Sequence, residues 1–243
     1  MSAGDYCIDL DQVEKGKGYL SEALEVFKQL DDQKNVAWCM ALIGVASSGS
    51  QSEITKGLDL IRESFSVFQQ LNDLGGMTHA YNLLGEMARM GEDYEMAEYY
   101  YNKCLELAKE TGERVTEGIQ YANLGMLAYQ KGQYELAETL NKQGLSIFLE
   151  MGAYYGIYYD VGGLAGAALG LGNPKRSARL LGISNMGLGT LESLHQQADR
   201  VVIQYILDGT KRALDEDAFM KAWTEGQNMT VQEAFAYALE LPY

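Results

Sequence analysis

The sequence is short of the residues that interrupt helices. Its 243 residues include only two prolines, Pro174 and Pro242, so almost the whole chain is free to be helical. Few stretches alternate β-branched with polar residues, whereas Ala, Leu, Glu, Gln and Met are plentiful. We therefore expect an all-α protein.

Positive charge is also scarce. Lys and Arg number 19 against 34 Asp and Glu, which gives a formal net charge of −15. A surface with this balance repels phosphates and argues against direct nucleic-acid binding. No apolar run approaches the length of a membrane span, and no N-terminal apolar segment resembles a secretion signal. These absences predict a soluble cytoplasmic protein with no membrane partner.

Residues suited to catalysis or metal binding are few. The two histidines, His79 and His195, are far apart, and neither has a Cys or His at metal-ligand spacing. Cys7, Cys39 and Cys104 are widely spaced in helical patterns, which is typical of buried thiols in a reducing compartment. No phosphate-loop or nucleophile-elbow motif exists. We expect no enzyme, metal or cofactor, although spacing alone does not exclude catalysis by a histidine.

What the sequence does contain is a repeat. Residues 81–112 share eleven identities with residues 121–152, and Gly85 recurs 40 positions later as Gly125. A period in the range of about 20–50 residues indicates stacked supersecondary units, which build extended binding surfaces and need a different unit to cover the end of the stack.

Each unit predicts two helices joined by a short turn. In the second unit the first helical stripe ends at 131–133, and Gly152 closes the second helix. Small residues recur where we expect helix axes to cross closely, namely Gly85, Ala97, Gly125 and Ala137. Weaker copies flank these units. The prediction is a repeat array of about four to five units over residues 1–189, the first partial, and capping helices over 190–243.

The end of the array has its own helix signals. Asn173 and Pro174 are typical of a helix start. A helix from about residue 191 to 214 is expected next, followed by one over 215–225 that Gly226 closes. The last helix begins at a capping box formed by Thr230 and a Glu three residues later.

The repeat resembles a known family. Leu-Gly followed three residues later by Ala, then a turn with Gly, then Tyr-x-x-Ala, is similar to the tetratricopeptide repeat (TPR). This resemblance implies a right-handed superhelical solenoid of helix-turn-helix repeats. The usual repeat is about 34 residues long, so the additional residues must lengthen the helices or the turns.

Two further segments carry a second resemblance. Residues 171–182, LGNPKRSARLLG, and residues 214–239 are similar to the end of the TPR region in bacterial transcriptional regulators of the LuxR and MalT type, and in related ATPase-containing regulators. The family's nucleotide-binding module and helix-turn-helix have no counterpart in these 243 residues, so any such activity is expected outside them.

The TPR resemblance also implies a binding groove, lined by first-helix residues. Its candidates in the two clear units are His79, Asn82, Glu86, Arg89, Ala122, Asn123, Met126, Tyr129 and Gln130. The alternative for all of them is a solvated helix face. Asn123 is a candidate because many peptide-binding repeats use an asparagine there. Arg89 is the one cation of the set, which argues against recognition of an acidic C-terminal peptide.

A tyrosine cluster and a glycine-rich stretch follow the clear repeats. Tyr155 and Tyr159, in a cluster with Tyr154 and Tyr158, are aromatic candidates for a peptide or sugar surface, with packing between units as the alternative. Residues 161–170 lack the Lys-Ser/Thr ending of a phosphate loop, so we interpret their glycines as sites of close helix packing.

Together these patterns predict a non-catalytic helical-repeat module. The leading hypothesis is the sensor region of a bacterial signalling or transcriptional regulator, with a protein, a peptide or a small inducer in the concave groove. A free-standing TPR adaptor is the second hypothesis, and an enzyme on a helical solenoid is the third. The sequence does not exclude a homo-oligomer.

Overall fold

The structure is a computed structural model that describes residues 10–47, 50–188 and 197–240. These residues form twelve α-helices and no strand, which confirms the predicted all-α fold. In chain order the helices are α1 (Leu10–Gln29), α2 (Gln33–Val45), α3 (Gln51–Gln70), α4 (Leu74–Met90), α5 (Tyr94–Thr111), α6 (Arg114–Gln130), α7 (Tyr134–Met151), α8 (Tyr154–Gly170), α9 (Pro174–Leu188), α10 (Gln197–Ala213), α11 (Glu216–Gln227) and α12 (Val231–Leu239).

The helices divide into two compact units, Met1–Gly112 and Glu113–Tyr243, called the N-terminal and C-terminal units below. In the N-terminal unit each helix packs against the next, from α1 to α5. In the C-terminal unit α6 to α9 do the same, and α11 then packs on α9. The predicted separation of repeats from cap at residue 190 stays a prediction.

The turns from α3 to α9 recur with a period shorter than the repeat. A residue with positive φ occurs every 20 positions, at Asn72, Glu92, Gly112, Gly132, Gly152 and Gly172. Each lies in a turn of two or three residues, while the helices between them are 17 or 18 residues long. The length beyond a usual TPR therefore lies in the helices.

Side-chain caps start several of these helices. Asp73 and Asp93 accept hydrogen bonds from the backbone amides of Gly76 and Met96. Asn173 caps α9 as predicted, because its Oδ1 accepts from the amide of Arg176 at 3.1 Å. The capping box at Thr230 is also confirmed. These caps satisfy amides that the first helical turn leaves without partners.

Some predicted bounds were wrong. The apolar pattern upstream of the clear units predicts a second helix from Gly57 to Gln70, preceded by a long turn. Helix α3 instead begins at Gln51, because Ser50 caps it by accepting from the Glu53 amide. Helix α10 is described only from Gln197, and the predicted start near residue 191 lies outside the described residues.

Gly226 does not close a helix but lies inside α11. A Cβ added there would be 2.0 Å from the backbone oxygen of Arg179, and one added at Gly182 would be 2.2 Å from the backbone oxygen of Trp223. Helices α9 and α11 therefore approach each other backbone to backbone. The glycine in α11 serves close packing rather than chain reversal.

The close crossings predicted from small residues are confirmed. A Cβ at Gly85 would lie 2.5 Å from the Tyr101 ring, and one at Gly125 would lie 2.5 Å from Asn141 Nδ2. Ala97 and Ala137 are fully buried. Each glycine accommodates a large side chain from the second helix of its own pair.

Cys39 and Cys104 are buried thiols with no disulfide between them, as predicted. Cys104 Sγ donates to the carbonyl oxygen of Thr78 at 3.2 Å, and burial raises the pKa of Cys39. Both effects favour the unreactive thiol over the thiolate. Cys7 lies outside the described residues.

Candidate functional site

The N-terminal unit places two groove candidates in a buried ion pair. Arg89 Nη2 lies 2.9 Å from Glu86 Oε2, and Arg89 Nε donates to the hydroxyl of Tyr101 at 3.2 Å. Glu86 is 2% exposed and Arg89 is 3% exposed. Neither residue forms the solvated face that was the alternative interpretation. A binding role for them stays a prediction.

The other two candidates of this unit are more accessible. His79 is half-buried with its ring centroid 4.6 Å from that of Trp38, and Trp38 contacts Phe68 edge-on at 5.3 Å. Asn82 is also half-buried. His79 and Asn82 are therefore the candidates of the N-terminal unit that solvent reaches.

In the C-terminal unit most groove candidates are buried. Asn123 is 5% exposed, Met126 is fully buried and Tyr129 is 8% exposed, while Gln130 is half-buried. Burial first, and then the neighbouring hydroxyls of Tyr205 and Tyr134, raise the pKa of Tyr129 to about 12. Tyr205 belongs to α10, so a helix beyond the repeats reaches the predicted groove residues.

Helix α10 covers the corresponding positions of the next repeat. Forty residues beyond Ala122, Met126 and Tyr129 are Gly162, Gly166 and Leu169, all on α8. A Cβ at Gly162 would lie 2.9 Å from Ile203 Cδ1, and one at Gly166 would lie 2.7 Å from Ile206 Cδ1. In the reverse direction, a Cβ at Gly209 on α10 would lie 2.9 Å from Leu169 Cδ2.

At the contact between α10 and α8, large residues of each helix face glycines of the other. Ile203, Ile206 and Gly209 are spaced i, i+3 and i+6 along α10, so they lie on one helix face. The first two project over the glycines of α8, and the third admits Leu169. The glycines of α8 are sites of close packing, as predicted, but the helix that packs there was not predicted. The i, i+3, i+6 pattern at 203–209 was the available signal.

Two tyrosines of the cluster, Tyr158 and Tyr159, pack inside the C-terminal unit. Tyr159 is 8% exposed and belongs to the apolar core of the C-terminal unit. Tyr158 packs against Phe235 of α12 with ring centroids 6.3 Å apart. The side chains of Tyr154 and Tyr155 lie outside the described residues. A binding role for Tyr155 and Tyr159 stays a prediction.

Helices α7 and α8 interlock through buried polar side chains. A Cβ at Gly163 would lie 2.2 Å from Asn141 Oδ1, and one at Gly144 would lie 2.6 Å from Asp160 Oδ2. Each polar side chain thus occupies the space left by a glycine of the facing helix. Asn141 and Asp160 are fully buried, and burial raises the pKa of Asp160 well above its usual range.

We expect the Asp160→Asn variant to become more stable relative to the parent as pH rises. The buried acid keeps its proton above the pKa near 3.9 of an unfolded aspartate, so the parent loses up to about 1.4 kcal/mol of stability per pH unit from there to the native pKa. Asparagine does not titrate. Urea unfolding at several pH values measures the difference. Asp59→Asn, at an exposed position, controls for net charge, and a pH-independent difference would contradict the expectation.

An ion-pair network connects three helical segments of the C-terminal unit. Lys142 of α7 pairs with Glu138 of the same helix and with Glu240 after α12. Arg176 of α9 pairs with the same two glutamates, and all four distances lie between 2.7 and 3.2 Å. Nearby, Arg179 pairs with Glu225 and donates to the hydroxyl of Tyr237 at 3.1 Å. These contacts hold the last two helices against the repeats.

The described part of the chain offers no obvious metal centre. Within residues 10–47, 50–188 and 197–240, no three His, Cys, Asp or Glu side chains are grouped to share an ion. Among those same residues, no helix has both the length and the apolar character that crossing a membrane requires. His195, the second histidine, lies outside them.

Comparison with known proteins supports the repeat assignment. Residues 76–150, which lie in α4 to α7, match the tetratricopeptide repeat family. The crystal structure of BtubC (BKLC) from P. vanneervenii is similar, with a TM-score of 0.58 over 83% of this chain and 90% of that chain. Its sequence identity of 16% means that the likeness concerns the fold alone. No curated protein matches this sequence.

Proposed function

We propose that the chain is a non-catalytic interaction module whose repeats bind a helical segment of a protein partner. One observation carries the proposal. The α8 positions that correspond to the predicted groove residues hold an amphipathic helix, α10, through Ile203 and Ile206. A surface that accommodates one helix by shape has the form that a helix-in-groove interaction requires. The TPR match over residues 76–150 agrees with this class of function.

Other ligand classes are less well supported. The net charge of −15 opposes phosphate-rich partners. The candidate cation Arg89 is buried beside Glu86, so it is poorly placed to bind the carboxylate of an incoming peptide. Apolar and shape-dependent contacts therefore have the best support.

A display selection on the purified chain tests the proposal. Helical segments are selected against the immobilised protein, scrambled segments serve as the reference, and fluorescence anisotropy measures the affinity of the enriched peptides. We expect dissociation constants of about 1 μM or tighter, near −8 kcal/mol. Amide exchange should place the footprint on first helices of the repeats. Absence of enrichment over scrambled segments would contradict the proposal.

Two half-buried candidates test where the partner binds. Replacing Asn82 or Gln130 by alanine removes one side-chain hydrogen-bonding group, which should weaken binding by about 0.5–1.5 kcal/mol where that group contacts the partner. Tyr99→Ala is the matched control, because Tyr99 is 51% exposed on a second helix. Equal losses in all three variants would argue against a first-helix site.

A finer form of the proposal is the sensor region of a bacterial regulator. Its support is the resemblance of residues 171–182 and 214–239 to sequences of the LuxR and MalT type. The two segments contact each other, because Arg179 donates to Glu225 and to Tyr237. The surrounding reading frame tests it. A phosphate-loop module upstream or a helix-turn-helix downstream would support the regulator, and a reading frame limited to the repeats would support the adaptor instead.

A further inference from the structure

We propose that α10 is an exchangeable occupant of the groove, which a partner helix displaces from α8. The inference rests on the proposed function and specifies the partner's chemistry. That partner is an amphipathic helix with large branched apolar residues at i and i+3 and a small residue at i+6.

The resident helix defines the pattern. Ile203 and Ile206 project over Gly162 and Gly166, and Gly209 makes room for Leu169. Ile203 is 4% exposed and Ile206 is fully buried. Any helix with the same large, large, small stripe would make the same contacts, because the recognition depends on shape rather than on a charge.

The packing of α11 shows why α10 can leave without opening the stack. Helix α11 contacts α9 directly, backbone to backbone, at Gly182 and Gly226. Arg179 of α9 also pairs with Glu225 of α11. The chain therefore continues its helix stacking from α9 to α11, and α10 lies between them in sequence but on a different face. Departure of α10 leaves the α9–α11 contact intact.

The attachment of α10 to α8 and α9 is apolar with one neutral hydrogen bond to α9, and Lys211 of α10 lies over the Phe219 ring of α11 at 5.5 Å. The hydroxyls of Thr210 and Ser177 lie 2.8 Å apart, and both residues are fully buried. Val201 on the outer face of α10 is 63% exposed, and Tyr205, whose hydroxyl neighbours that of Tyr129, is 64% exposed. A helix with apolar residues on its outer face as well is well suited to exchange between an intramolecular and an intermolecular contact.

The test uses a labelled synthetic peptide of residues 197–213 and the full chain. Ile206→Ser weakens the docking of α10, and Val201→Ser changes an exposed position of the same helix as a matched control. The apparent affinity for an incoming helix is proportional to the fraction of molecules whose groove is open. Because Ile206→Ser raises that fraction, the peptide should bind this variant at least about tenfold more tightly than the parent or the control. Amide exchange of α10 should be faster in Ile206→Ser alone.

A covalent lock provides the opposite perturbation. Leu169→Cys combined with Gly209→Cys places two thiols at facing positions, where oxidation should tie α10 to α8. We expect the oxidised protein to lose peptide binding and the reduced protein to regain it. Binding that is equal in the oxidised and reduced forms would overturn the inference. So would an α10 that stays protected from exchange in both Ile206→Ser and an Ile203→Ser/Ile206→Ser double variant.

The outcomes also separate this inference from the proposed function. Selected helices that bind the parent protein while α10 amides remain protected would contradict only the exchange of α10. If neither the parent nor Ile206→Ser enriches any helix, both the proposed function and the inference are contradicted.

Discussion

Replacing Arg89 by methionine is expected to lower the free energy of unfolding of the N-terminal unit by about 3–5 kcal/mol. Arg89 and Glu86 are one ion pair at 2.9 Å with almost no exposure. Removing the cation takes from a buried carboxylate the opposite charge that lies 2.9 Å away, and the hydroxyl of Tyr101 loses a donor. The cost arises from the lost ion pair rather than from lost volume, since methionine fills most of the space.

A double variant distinguishes this explanation from simple loss of packing. Glu86→Leu with Arg89→Met removes both charges, and such replacements of buried pairs are often neutral or stabilising. We expect the double variant to recover most of the loss. Equal destabilisation in the single and double variants would contradict the ion-pair explanation. Trp38 fluorescence in a Trp223→Phe background measures unfolding of this unit, since the chain has only two tryptophans.

The second large effect is expected at Gly226. An alanine Cβ there would lie 2.0 Å from a backbone oxygen of α9, and backbone cannot move aside as a flexible side chain can. We expect Gly226→Ala to destabilise the C-terminal unit by about 3 kcal/mol, the upper part of the range for overpacking. Trp223 emission, in a Trp38→Phe background, should shift to the red as α11 separates from α9.

The same substitution elsewhere supplies the control. Gly18 lies inside α1, and a Cβ added there meets nothing within 4 Å. Gly18→Ala should therefore stabilise its helix by about 0.5–1 kcal/mol, because alanine loses less backbone entropy on folding. A loss of stability at Gly18, or none at Gly226, would show that close approach is not the cause.

Sequence patterns predicted the fold well because helix packing determines both the periodicity and the positions of small residues. The 40-residue repeat located the helix pairs, and Gly85 and Gly125 correctly indicated where two helices cross. Gly226 was misinterpreted for a physical reason. A glycine near the end of an apolar stripe has two uses, chain reversal and close approach, and only the facing backbone of α9 distinguishes them.

The accessible face of the repeats was harder to predict. A helical pattern shows which residues share a face, but not whether another helix covers that face. The helical pattern placed Met126 and Tyr129 on the predicted groove face, and the structure buries both. Glu86 and Arg89 appeared suited to a solvated surface because each is charged. Their spacing of three residues allows them to neutralise each other inside the protein, a possibility that composition alone does not reveal.

The ion-pair network has a consequence for how the C-terminal unit loses structure. In a simple repeat array each element contacts only its neighbours, so the ends fray first and unfolding proceeds stepwise. Here Arg176 and Lys142 bind Glu240, and the link from α7 to α9 and to the chain after α12 bypasses α8. Such bypassing contacts couple distant elements into one cooperative block, in which the final helix opens together with the core rather than before it. Helix α10 contributes no residue to that network, so its exchange leaves the cooperativity of the block intact.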